Sequence, residues 1–313
     1  MTPITIKDGE KVTKPGIYFI PIQRYHHDAD LFDGPSISNT GLRKVELCPE
    51  KLWDSSPLNP NSEPEPESNE YRFGRMAHVL CVEKRWPSDI VISPYDDFRT
   101  KEAREWKAAQ EADGFTVFKE KDVEDIKGMA ARLEQEPLMD LALAGGIVEA
   151  SLIWKDEATG IWIKSRPDMI PNDNILADYK TTTSGDKDEI ERSIWKYGYH
   201  GQMALMAEGM AKVLGHEMES FSFVFQEKKR PYPVTVAAVT DESIHWGARQ
   251  NRFALDRLAR CLEANDWPSY SEGPVTVGLP PYALKRLRDH DEILPKVPTL
   301  AEMAKRAPEL TPA

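Results

Sequence analysis

Two segments of this chain carry side chains whose types and spacing can do chemistry together: Lys164-Ser165-Arg166-Pro167-Asp168 and Ala177-Asp178-Tyr179-Lys180-Thr181. If the second is a strand, Asp178 and Lys180 point to one face, their backbones about 6.6 Å apart at roughly 3.3 Å rise per residue. A carboxylate and an ammonium at that separation can hold a metal ion and a scissile phosphate between them. Pro167 keeps Arg166 extended and donates no ladder hydrogen bond, which places Asp168 near a strand end or on an edge. Register leaves two arrangements open. With a hairpin loop over 171–174, Asp168 pairs with Ala177 and faces away from Asp178. With a loop over 171–175, or a bulge, it lies opposite Asp178, as a shared metal requires.

Glu149 stands in the apolar run Ile147-Val148-Glu149-Ala150-Ser151. A carboxylate there is costly unless something positive compensates it, and Glu149, Asp168 and Asp178 gathered together would raise one another's pKa. A divalent cation removes both problems, and oxygen ligation favours Mg²⁺ or Mn²⁺. His78, in Phe73-Gly74-Arg75-Met76-Ala77-His78, could complete the shell, with Gly74 one turn earlier leaving room for close approach. The chemistry that fits is phosphodiester hydrolysis, with a second ion about 3.5–4 Å away steadying the leaving oxygen. Lys180 would orient the attacking water or stabilise the transition state, and a lysine exposed at such a site costs little stability to remove.

These groups need elements to position them. Ser38 can cap a helix ending at Cys48-Pro49, a solvated Pro- and Glu-rich loop covers 57–70, and a second helix runs from about Arg72 to Lys84. Residues 99–145 read as helical, with breaks near Gly114 and Pro137. Ile147 to Trp154, Gly160 to Ile170 and Ile175 to Lys180 read as strands. A long helix from about Asp188 to Leu214, strands Glu219 to Gln226 and Tyr232 to Val239, and a helix Asp241 to Ala264 complete the core. This pattern implies an α/β fold, a mixed central sheet flanked by helices. The expected domains are a lead-in over 1–35, one domain over 36–294 and a loose tail over 295–313.

A composition with 40% hydrophobic and 29% charged residues fits a globular protein. No stretch reaches the roughly 18 apolar residues of a membrane helix, and Met1 to Lys7 has no signal-peptide core. Cys48, Cys81 and Cys261 are far apart, which argues against a disulfide framework or a zinc ribbon. A cytoplasmic protein is expected. The net charge of −12 runs against the usual basicity of nucleic-acid binders. A local basic groove still acts within a Debye length of about 8 Å.

The order of His78 in FGRMAH, Glu149 in VEASLIW, Asp168 in RPDMI, Asp178 and Lys180 in DYKTT, and Tyr199 to Gln202 in YGYHGQ resembles the RecE-type (exodeoxyribonuclease VIII-like) and RecB-type nucleases of the PD-(D/E)xK superfamily. SISNTGLRKVELCPEKLW also looks like the first helix of that superfamily, and the resemblance spans roughly residues 25–240. It implies a restriction-endonuclease-like core and Mg²⁺-dependent hydrolysis of DNA. It further implies a metal site of His78, Glu149, Asp168 and Asp178 with the Tyr179 carbonyl as an extra ligand. Lys180 is then catalytic and Gln202 supports it from the next helix. RecE-type enzymes suggest a homo-oligomeric ring that digests linear duplex DNA from its ends, 5′ to 3′, beside a single-strand annealing protein, in a bacterial cell and from a phage or prophage gene. Two positions depart from the pattern: Met206 replaces the Tyr of a Gln-x-x-x-Tyr helix, and Arg75 replaces a small residue. Relatives with an iron–sulphur cluster use four cysteines, so no cluster is expected.

Each motif alone has a plainer reading. A lone D-x-K is more often a solvated strand face, and a lone helix histidine is more often packed than ligating. Arg43, Lys44, Arg72, Arg166 and Tyr199 are the candidate DNA contacts; Trp195, Tyr197 and Tyr199 read as core before they read as a base-stacking platform. The joint order of the polar positions favours a nuclease over a non-catalytic module of the same fold that binds DNA or protein. An endonuclease would differ only in how DNA enters.

Overall fold

The computed structural model describes residues 2–62, 68–136, 146–172, 174–299 and 302. The chain divides into two compact units, Met1–Tyr270 and Ser271–Ala313, rather than at 294. The first unit is mixed α/β. Its largest sheet has five strands in the order Ile4–Thr5, Gly16–Phe19, Ser151–Lys155, Trp162–Ser165, Ser36–Ser38, antiparallel within and parallel at both edges. The expected lead-in therefore supplies two strands of this sheet. Its Ile6, Val12, Tyr18, Tyr25, Leu31 and Phe32 form an apolar cluster with Ile153 and Trp162, so burial ties it to the rest.

A three-stranded sheet carries the D-x-K segment. Ile175–Thr182 lies at its edge, parallel to Ser220–Glu227, which pairs antiparallel with Val234–Ala238. Helix Tyr199–Leu214 is apolar almost all round and buries Met203, Ala204, Leu205, Met206, Met210 and Val213, as a helix enclosed in a core does. Met206, 1% exposed, packs in the same cluster as Leu205, Met210, Phe223 and Phe225; a tyrosine there would bury its hydroxyl among apolar atoms. Helix Asp241–Ala264 runs over the expected residues, capped by Thr240, whose hydroxyl accepts from the Ser243 amide.

Five expected elements differ. The helical reading of 99–145 contains a strand, Thr116–Lys119, between helices Lys101–Ala112 and Glu120–Leu133. Its parallel partner is Ile90–Ser93, a pairing that only tertiary contact creates; the break at Pro137 lies outside the described residues. The long helix expected over 188–214 is two, Lys187–Tyr197 and Tyr199–Leu214, hinged at Gly198 with φ +68. A Cβ there would also approach Arg43 Cδ to 3.2 Å. The run from Ile147 to Trp154 breaks into Ile147–Val148 and Ser151–Lys155 at Glu149, and the next run breaks into Trp162–Ser165 and Met169–Ile170 at Arg166-Pro167-Asp168. The second helix is Asn69–Cys81, with Ser68 accepting from the Tyr71 amide.

In the second unit, helix Pro281–Asp289 starts on a proline, which suits a first-turn position without an amide donor, and buries none of its residues. Residues 295–299 carry no regular structure. No helix among the described residues is long and apolar enough to cross a membrane.

Candidate active site

Both interrupted strands break at the same place. The pairs Val148↔Met169 and Leu152↔Ser165 flank the gap. Three residues remain on each side, Glu149 to Ser151 and Arg166 to Asp168, and no ladder pair joins them. Pro167 has no amide to donate, so a ladder cannot continue through it. Glu149 takes φ +59, a left-handed conformation that non-glycine residues rarely adopt. The strand thereby changes partners and re-aims the Glu149 carboxylate.

His78 enters from helix Asn69–Cys81, whose Met76, Ala77 and Cys81 pack with Tyr179 and Val224. The imidazole lies between carboxylates: Nε2 is 2.9 Å from Asp168 Oδ1, and Nδ1 is 3.5 Å from Glu83 and 3.9 Å from Glu149. The Nε2 contact is close but not aligned as a hydrogen bond. Gly74 is not needed for clearance, because a Cβ there would meet only Thr181 Oγ1 at 3.6 Å, an ordinary contact.

Neither register considered for Asp168 holds, because Met169–Ile170 pairs with Ile147–Val148 and forms no ladder with Ile175–Thr182. Asp168 joins the motif strand through its side chain instead: Oδ2 accepts from the Tyr179 amide at 2.6 Å. In a parallel pair a residue's N–H and C=O point the same way, so the Tyr179 carbonyl is also directed to the open Asp168 side. The Tyr179 ring points away, its hydroxyl donating to Gln226 Oε1 at 2.7 Å. Alternation puts Asp178 and Lys180 on the face opposite that ring, where their side chains form an ion pair. The Lys180 ammonium lies over Tyr199 at 5.1 Å and Phe223 at 5.9 Å. Lys180 is therefore a buried partner, not the exposed lysine expected from sequence.

Charge organises this cluster. Burial, with the Asp168 charge, pushes Asp178 up to about 6 against the pull of Lys180. Burial opposes the imidazolium of His78, but Asp168, Glu83 and Glu149 raise it well above its ordinary value. Burial likewise opposes Lys180, and Asp178 and Asp168 overcome it and raise its pKa. Asp168 is held low: burial works against its charge, yet His78 and Lys180 outweigh it. Glu149 is raised by burial and by Glu83.

Asp178 is 2% exposed; the Lys180 ammonium pairs with its Oδ2, and no donor among the described residues meets its Oδ1. A buried carboxylate oxygen without a donor is costly, and an oxygen-seeking divalent cation satisfies it. The residues present fit such an ion. Among the described residues, His78, Glu83 and Glu149 also offer ligand atoms within 4.8 Å of one another. Sequence reasoning missed Glu83; it follows the helix end with no motif around it, and only the fold brings it to His78.

Other candidates are placed differently. Arg166 donates to Ser151 Oγ at 2.9 Å and the Ile20 carbonyl at 2.7 Å over the Tyr25 ring, and its guanidinium lies 3.7 Å from the Glu149 carboxylate. Gln202 is half-buried, and no hydrogen bond joins its side chain to a described residue. Arg72 pairs with Glu111 at 2.8 Å. Tyr199 packs on Phe223 and Phe225, but Trp195 and Tyr197 are 64% and 52% exposed, against the expectation that they are core.

A mixed sheet with a carboxylate–lysine strand at its edge, and two acids at a broken hairpin beside it, defines the PD-(D/E)xK class. The chain belongs to the PDDEXK-like family of unknown function DUF3799, whose profile matches residues 38–275. In structure it is similar to a candidate exonuclease from Eubacterium rectale, with a TM-score of 0.58 and 15% identity over 85% of this chain and 97% of that one. At that identity the likeness is one of fold. The alkaline exonuclease LHK-Exo from Laribacter hongkongensis gives a TM-score of 0.24 at 16% identity, covering 61% and 91% of the two chains, too low to carry an argument. Comparison with curated proteins finds no match.

Proposed function

We propose that the chain is a Mg²⁺- or Mn²⁺-dependent deoxyribonuclease that digests linear duplex DNA from its ends, in recombination or repair. The observation that carries this reading is the buried Asp178 carboxylate beside Asp168, its Oδ1 without a donor and its Oδ2 paired with Lys180 on the same face. Asp178, Asp168, Glu149, His78 and the Tyr179 carbonyl would hold one or two cations. A divalent cation there supplies a Lewis acid that activates water and neutralises charge developing on phosphorus. Lys180, kept charged by its carboxylates, would stabilise negative charge developing on the scissile phosphate. Asp168 is fixed by the Tyr179 amide, which keeps its second oxygen towards His78.

Attack on ends by a closed homo-oligomer is supported by charge alone. At a net charge of −12, diffuse attraction to DNA is weak at physiological salt. A ring of identical subunits retains a threaded duplex without high affinity. A single-strand annealing protein is the proposed partner. The test is digestion of end-labelled linear and covalently closed circular duplex DNA with Mg²⁺, with light scattering for assembly state. End-dependent loss of the linear substrate is expected, releasing 5′ label first. Equal cutting of closed circles by a monomer would move the protein to the endonucleases; no cutting of either would leave a binding module.

A further inference from the structure

Next to this site is a groove of about 210 Å³ lined by Asn39, Thr40, Arg43, Lys44, Leu47, Lys51, Tyr197 and Tyr270. It is smaller than the roughly 300–1,000 Å³ usual for enclosed small-molecule sites. Three cations line it and, among the described residues, no carboxylate does, on a chain whose net charge is −12. Arg43 is steadied by Glu46, and Lys44 donates to Ser55 Oγ at 2.8 Å, so the cations are held in place. Tyr197 is 52% and Tyr270 66% exposed. Each ring carries a cation above it: Lys196 at 5.1 Å over Tyr197, and Lys51 at 5.4 Å over Tyr270.

Ring contacts link the groove's Tyr197 to the catalytic lysine. Tyr197 stands 5.5 Å from Tyr199, centroid to centroid, and the Tyr199 ring lies under the Lys180 ammonium. The hinge at Gly198 makes this possible: one continuous helix over 187–214 would not bring both tyrosines to this corner. A polyanion with flat unpaired faces matches such a surface. Cations take its phosphates, and aromatic rings take its bases. Duplex DNA fits less well, because its bases already stack on one another and leave only the terminal pair open.

We propose that this groove is a track for a single strand of nucleic acid, with Tyr197 and Tyr270 stacking bases and Arg43, Lys44 and Lys51 receiving phosphates. The proposal rests on the nuclease reading only for its biological setting; binding is measured without catalysis. The experiment is fluorescence anisotropy of the full chain, in chelator, with a labelled oligodeoxythymidylate of about 12 residues, within known single-strand footprints. A hairpin duplex of the same length is measured in parallel. Tyr197→Ala and Tyr270→Ala should each weaken single-strand binding by about 5- to 150-fold, and far less for the duplex. Tyr197→Phe and Tyr270→Phe should retain it, because they keep the ring. Lys51→Ala should lower the slope of log affinity against log salt by about 0.7, one single-strand phosphate contact.

Unchanged single-strand affinity in both alanine variants overturns the proposal. So does equal weakening of duplex and single strand, which would make the groove a backbone contact for duplex. Loss in the phenylalanine variants as large as in alanine overturns stacking. Catalytic inactivity with intact groove-dependent binding would sink the nuclease reading and leave the track; active cleavage with groove variants that bind normally would do the reverse.

Discussion

Glu149 and Asp168 stand at the junction of two antiparallel pairs, Ile147–Val148 with Met169–Ile170 and Ser151–Lys155 with Trp162–Ser165, and the His78 imidazole lies between their carboxylates. Nε2 is 2.9 Å from Asp168 and Nδ1 3.9 Å from Glu149. The break between the two pairs arises from Pro167 on one strand and the left-handed Glu149 on the other. Without it, both carboxylates would be held in a regular hairpin, and neither would be free to turn towards a helix outside the sheet. Unusual backbone where acids converge is what a site held by its surroundings looks like.

Lys180→Met should lower turnover by about 10²–10³-fold, the usual loss when a preorganised charge at the transition state is removed. It should also destabilise the metal-free protein, because it strands Asp178 in a buried position without its partner. The double variant Lys180→Met/Asp178→Asn should recover part of that stability. Chemical denaturation of the three proteins measures it; additive losses would show that the two residues do not interact.

Mg²⁺ or Mn²⁺ should raise the melting temperature of the wild type and raise it less in Asp178→Asn, since an ion that binds only the folded state stabilises it by mass action. Equal metal shifts in thermal scans at matched ionic strength would remove Asp178 from the ligand set.

His78→Ala should shift the Mg²⁺ midpoint for cleavage upward by about tenfold or more, while His78→Gln shifts it less. Glu83→Gln should move the midpoint in the same direction, because Glu83 is 3.5 Å from His78 and supports its orientation, as outer partners of ligating histidines do. An unchanged midpoint in His78→Ala would make the histidine a packing residue.

The metal-free protein should lose stability as pH rises from about 5 to 8. The raised His78 pKa gives a stabilisation present below about 6.5 and lost as pH rises through the folded value. The raised Asp178 pKa, about 6, acts the same way from about 4 upward. The lowered Asp168 pKa opposes only below about 4. Saturating Mg²⁺ should flatten this slope, since the ion competes with those protons. Denaturation midpoints across pH 5–8 in chelator, rising steadily, would contradict the charge arrangement.

What the sequence determined by itself is local. Asp178 and Lys180 share a face because strand alternation is two residues long, and the structure keeps them together. Helix Asp241–Ala264 and its Thr240 cap are written in apolar spacing and a capping residue. Pro167 announces a break in pairing whatever surrounds it. The tertiary structure decided the rest, because each remaining feature is set by residues far away in the chain. Thr116–Lys119 is a strand because Ile90–Ser93 lies beside it. Asp168 reaches the motif strand through an amide eleven residues on rather than through either hairpin register. Lys180 is buried because Tyr199 and Phe223 cover it. Glu83 joins His78, and Trp195 and Tyr197 come to the surface, because the end of one helix and the hinge at Gly198 direct them there. Spacing fixes which side chains share a face; only packing fixes what that face meets.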